Sequence, residues 1–78
     1  MNAAHLDSDG IERVRTQWGF NAFTSIAGVV ASVRGFRRKG PWYIWRLPDG
    51  SFDYTANKDF SPDDIGWPTG AELVQVIP

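Results

Sequence analysis

The sequence predicts an α+β domain in which two N-terminal helices pack on a three-stranded antiparallel sheet, made of a β-hairpin and a C-terminal strand. Three observations predict it. Apolar residues recur at helical spacing on either side of Gly19. Two β-rich runs flank Pro48-Asp49-Gly50, and residues 71–77 form a third.

Residues 1–8 are small and polar with one Leu, and are expected to be flexible, leaving 9–78 as the single domain. The first helix is read over Asp9–Trp18. Asp9 stands where an N-cap should, Glu12 follows three residues on as in a capping box, and Ile11, Val14 and Trp18 share one face. Gly19 supplies the stop. A second helix is read from a cap at Asn21 or Thr24 to Arg34, ending at Gly35. Phe23, Ile26, Ala27, Val30 and Val33 make its apolar stripe. Val29, Val30 and Val33 are β-branched and Gly28 is a poor helix former, so a strand over Gly28–Val33 competes.

Trp42-Tyr43-Ile44-Trp45-Arg46-Leu47 and Ser51-Phe52-Asp53-Tyr54-Thr55 then read as the hairpin. Pro presets φ at the first loop position, Asp suits the second, and Gly takes the left-handed conformation of a three-residue loop. That loop fixes the register: Leu47 opposite Ser51, Arg46 opposite Phe52, Trp45 opposite Asp53, Ile44 opposite Tyr54 and Tyr43 opposite Thr55. Alternation puts Trp42, Ile44, Arg46, Phe52 and Tyr54 on one face, the more apolar one, which should meet the helices. Tyr43, Trp45, Leu47, Ser51, Asp53 and Thr55 share the other, so Tyr43 and Trp45 lean towards solvent unless a further element covers them. Ser61-Pro62-Asp63-Asp64 has the pattern of a short helix start. The last strand, Ala71–Ile77, is apolar on both faces and is expected to be buried on both, beside the hairpin. In outline the order resembles a winged helix, with two helices before the wing in place of the usual three.

At 78 residues with no cysteine and one histidine, neither a disulfide nor a conventional zinc site can staple the fold. A core of this size supplies about 3–5 kcal/mol, so its eleven aromatic residues or association must help. No apolar run approaches the ~20 residues of a membrane span, and the start lacks the regions of a secretory signal. A cytoplasmic protein without membrane contact is expected.

Catalytic patterns are missing: no nucleophile elbow, phosphate-binding loop or dinucleotide fingerprint occurs. His5 lies in the segment expected to be mobile, where rigid positioning fails. Asp49 opens a stretch with the look of a calcium loop, but Tyr54 and Phe60 occupy the places that need Gly and Glu. Neither metal nor cofactor is implied, and a non-catalytic binding module is the expectation.

Two partners compete. The net charge is −1, but Arg34, Arg37, Arg38, Lys39 and Arg46 crowd one stretch, and acids follow it. A basic loop beside Tyr43 and Trp45 suits nucleic acid, with cations on phosphates and rings stacking or wedging. Against this, charge runs are commonly just solvated surface, and these cations also suit the C-terminal end of a helix. The alternative is a protein-binding adaptor or inhibitor, with a homodimer as one form, using Tyr43, Trp45 and Leu47 as an exposed aromatic face.

Overall fold

The computed structural model describes residues 4–58 and 66–78. They form β1 (His5–Leu6), β2 (Glu12–Arg15), β3 (Asn21–Phe23), α1 (Ile26–Arg34), β4 (Trp42–Arg46), β5 (Phe52–Thr55) and β6 (Glu72–Ile77). All strands belong to one antiparallel sheet in the order β1-β2-β3-β5-β4-β6. The protein is therefore mostly β with one helix, and two helices on a three-stranded sheet is corrected. The Ser61–Asp64 helix start lies outside the described residues.

The segment read as the first helix holds two tight turns with β2 between them. At the first turn, Gly10 adopts φ +77° and its N–H donates to Asp7 O at 2.9 Å, while Asp7 N–H donates to Ile11 O at 3.1 Å. Asp9 caps no helix. Its Oδ1 accepts the Ile11 N–H two residues on, at 3.0 Å, as turn aspartates do. At the second turn, Gly19 adopts φ +94°, Gly19 N–H donates to Thr16 O, and Thr16 N–H donates to Phe20 O. Ile11, Val14 and Trp18 thus matched a helical period by coincidence, and the two glycines that bound them are turn formers.

The hairpin β4–β5 has the expected register at every pair from Tyr43–Thr55 to Arg46–Phe52. Its loop repeats the same build. Gly50 adopts φ +87°, its N–H donates to Leu47 O, Leu47 N–H donates to Ser51 O, and Asp49 Oδ1 accepts the Ser51 N–H. One sequence pattern, a glycine closing a three-residue loop, therefore turns the chain three times.

The second predicted helix is α1, and it ends where expected, at Arg34. Its cap is Ser25, whose Oγ accepts the Gly28 N–H at 3.1 Å, and not Asn21 or Thr24. Asn21 belongs to β3, and the competing strand over Gly28–Val33 does not form. Helix α1 buries Val29 and Val33 against Phe23, Trp42 and Ile44, with Ile11, Phe52, Tyr54 and Ile77 around them. This is the face that alternation assigned to helix packing. Truncating a fully buried side chain here, Ile44 or Val29, removes on the order of 1–5 kcal/mol.

The opposite face carries a smaller core of Ala22, Leu47 and Trp67, packed by Trp18, Phe20, Trp45 and Ala71. Strand β6 does pair beside the hairpin, on β4. It is not buried on both faces. It is the outermost strand, and Leu73, Val74 and Val76 are 37%, 37% and 46% exposed.

Candidate functional site

Helix α1 ends at Arg34, the chain turns through Gly35-Phe36-Arg37-Arg38-Lys39, and a cis Gly40–Pro41 bond leads into β4. Gly40 lies against the end of β6: an added Cβ would stand 2.7 Å from Ile77 O and from Pro78 C and O. Only glycine permits this approach of loop and strand. Between them opens a cleft of about 290 Å³ lined by Arg34, Arg38 and Lys39, by Phe36 and Trp42, and by Val33, Gly40, Ile77 and Pro78. No carboxylate side chain lines it.

Its walls combine positive charge with aromatic surface. The Arg38 guanidinium lies over the Trp42 ring, 4.9 Å from the centroid, and its Nη1 donates to Pro41 O at 3.2 Å. A stacked, singly bonded guanidinium keeps most of its five donors for a ligand. Phe36 is 40% exposed. Its ring is held edge-on by Trp42 and Tyr54, both at 5.4 Å between centroids, so the aromatic surface is fixed by a three-ring cluster. Among the described residues no carboxylate pairs with Arg34, Arg37, Arg38 or Lys39, and all four are exposed.

Beyond Phe36 lies a second cleft of about 430 Å³, lined by Asp9, Ile11, Arg13, Ala31, Ser32, Gly35 and Phe36. It carries both signs of charge. Arg13 Nη2 meets Asp9 Oδ2 at 3.0 Å, Arg13 Nε bonds Asp7 Oδ2, and the guanidinium lies 4.5 Å from the Phe23 ring centroid. Phe36 is the ridge between the two clefts.

The other residues singled out by sequence do not join this cluster. Arg46 shares the helix-bearing face but sits four residues further along β4, about 13 Å away. Its Nη2 meets Glu72 Oε2 at 2.8 Å. Tyr43 and Trp45 lie on the opposite face of the sheet from Trp42. Both are half-buried. Trp67 covers Trp45, the rings 6.3 Å apart and nearly perpendicular, and Trp45 Nε1 donates to Thr55 Oγ1 at 2.9 Å. Leu47 is 1% exposed and is core. Sequence reasoning did not select Phe36 and Trp42. Phe36 stood inside the basic run, and the alternation that separated Trp42 from Tyr43 already put Trp42 on the helix side.

One half-buried acid stands out on the Trp45 face. Burial raises the Asp53 carboxyl from 3.8 to about 6, against the lowering influence of the Tyr54 N–H it accepts and of Arg13. It lies opposite Trp45 and outside both clefts. Among the described residues no group of three or more metal-ligating side chains occurs, and no helix is long and apolar enough to cross a membrane. No protein-family model matches the chain, and no curated protein or solved structure shows significant similarity to it.

Proposed function

We propose that the protein is a non-catalytic module that binds single-stranded nucleic acid in the cleft between the end of α1 and the start of β4. The observation that carries this reading is the lining itself. Three cations and a fixed, exposed phenylalanine share about 290 Å³ with no acidic side chain among them. Phosphates take the cations, and an unpaired base has a π-face for Phe36. An unstacked strand reaches such a cleft, whereas the bases of a duplex remain stacked inside it. Arg37, exposed beside the cleft, adds charge without lining it. Arg46, Tyr43 and Trp45 are not part of this interface. The protein-binding alternative centred on Tyr43, Trp45 and Leu47 has less support, because Leu47 is core and Trp67 covers Trp45.

The test is fluorescence anisotropy with a labelled mixed-sequence oligonucleotide, single-stranded and duplex, at several salt concentrations. Dissociation constants of about 10⁻⁴–10⁻⁶ M are expected for the single strand, with log K falling against log salt at about −0.7 per phosphate neutralised. Arg38→Ala with Lys39→Ala should flatten that slope by about 1.4. Phe36→Ala should weaken binding about tenfold with the slope unchanged, as loss of a stacked base requires. Binding that ignores both variants, or no binding at low salt, overturns the proposal.

A further inference from the structure

The second cleft shares Phe36 with the basic one and differs from it in chemistry. Its volume of about 430 Å³ has room for a purine. Its charged side chains are Asp9 and Arg13, already paired with each other at 3.0 Å. Such a pair has little pull on a phosphate but keeps hydrogen-bonding capacity. Asp9 Oδ1 accepts the Ile11 N–H and Oδ2 accepts from Arg13 Nη2, so each oxygen retains an acceptor site. Asp9 is exposed. Arg13 spends Nε on Asp7 and Nη2 on Asp9, which leaves the Nη1 donors without a hydrogen bond among the described residues. Contact with the Phe23 ring holds the guanidinium in place.

We infer that the second cleft is a base-reading subsite and that the base it takes is guanine, recognised by the Asp9–Arg13 pair. This rests on the nucleic-acid reading of the basic cleft. The phosphate stays with Arg34, Arg38 and Lys39, and the base lies across Phe36, which lines both clefts.

Guanine alone among the bases offers a carboxylate two adjacent donor groups, N1–H and the 2-amino group. Its O6, next to N1, accepts from a guanidinium, as in the commonest arginine contacts to DNA. Adenine and cytosine offer a carboxylate one amino group each. Thymine and uracil flank their single ring N–H with two carbonyl oxygens, which a carboxylate repels. A purine also covers more of a phenylalanine ring than a pyrimidine does. Labour is thereby divided between the clefts: the cations supply affinity and salt dependence, and the Asp9–Arg13 pair supplies the choice of base.

The test is anisotropy on labelled oligothymidylates of about six nucleotides, with one central thymine replaced by guanine, adenine, cytosine or hypoxanthine. The guanine oligomer should bind about tenfold more tightly than the all-thymine one. Hypoxanthine keeps O6 and N1–H but lacks the 2-amino group, and should bind at least about threefold more weakly than guanine. Asp9→Asn keeps an oxygen for the Ile11 N–H, and so the turn, but removes the second acceptor. It should level guanine with thymine, while the all-thymine oligomer binds at least as well as before and circular dichroism is unchanged. Arg38→Ala with Lys39→Ala should weaken both oligomers and leave their ratio intact. Equal affinity for guanine and thymine, or for guanine and hypoxanthine, overturns the inference. So does a preference for another base, or a guanine preference that survives Asp9→Asn. Salt-dependent binding of the all-thymine oligomer in those cases leaves the reading of the basic cleft standing, whereas failure to bind any oligomer overturns both.

Discussion

In the loop Asp7–Ile11 and in the loop Leu47–Ser51 an Asp-Gly pair reverses the chain with the same set of backbone hydrogen bonds, and in both the aspartate accepts the amide two residues on. Their surroundings are opposite. Leu47 and Ser51 are 1% and 2% exposed, whereas Leu6 is 69% exposed. The acids of the outer loop, Asp7 and Asp9, are compensated by Arg13 at the surface. Those of the inner hairpin are not so well served: Asp53 is half-buried with a raised pKa, and Asp49 Oδ2 has no hydrogen-bond partner among the described residues. Turn chemistry is thus independent of depth. It dictates that the chain reverses, and the residues flanking the turn decide how much of the fold depends on the reversal.

The largest expected contrast is in the flanking leucines. Leu47→Ala should cost about 2–4 kcal/mol in urea unfolding followed by tryptophan fluorescence. Leu6→Ala should stay within about 0.5 kcal/mol. Similar losses at both sites would erase the distinction between the loops.

Titration sharpens the contrast next. Because burial holds Asp53 near 6 when folded, the fold favours its protonated form. The unfolded chain, with the carboxyl near 3.8, binds fewer protons between those values. This contribution is therefore full below about pH 4 and is lost as pH rises through 6. Asp53→Asn should gain on the wild type by on the order of 1–3 kcal/mol between pH 4 and pH 7. A difference that is flat or of opposite sign would show that the inner hairpin does not bury that charge.

The glycines come third. At φ +87° and +77°, Gly50→Ala and Gly10→Ala meet the same left-handed strain of about 1–2 kcal/mol, and neither new Cβ touches anything. Gly50→Ala should show all of it in global unfolding. Gly10→Ala should show less, and instead speed amide exchange at His5 and Leu6. A small effect is also expected of Arg13→Ala, within about 1 kcal/mol, since its partners Asp7 and Asp9 lie at the surface. If it proved the most damaging of these variants, the outer loop would be the more important one.

The same pair of loops explains what was legible in the sequence. Pro48-Asp49-Gly50 is flanked by long aromatic and β-branched runs, so turn and strands agreed and every pair of the hairpin could be assigned. Asp9-Gly10 is flanked by two-residue and four-residue strands, too short to show alternation. With strand evidence so thin, Asp9 and Glu12 passed for a capping box and Gly19 for a helix stop. Helix α1 was legible because nine residues suffice to display a stripe. For β6 the composition was read as burial on both sides, a property that depends on its position in the sheet and not on its residues. The basic half of the site was visible as a run of charge. Its aromatic half was not, because Trp42 is brought to that run by packing against Phe36, a contact that only the folded chain makes.

Three of the reversals close after a few residues, but two seams of the sheet do not. Phe23 pairs with Phe52, 29 residues on, and Trp42 with Ile77, 35 residues on. Joining chain ends across such spans costs about 2 kcal/mol more in loop entropy than closing a four-residue turn. The hairpins are therefore inexpensive to form early, and the speed of folding rests on the β3–β5 and β4–β6 seams. Shortening the connection between β5 and β6 should accelerate folding more than any change made in the three turns.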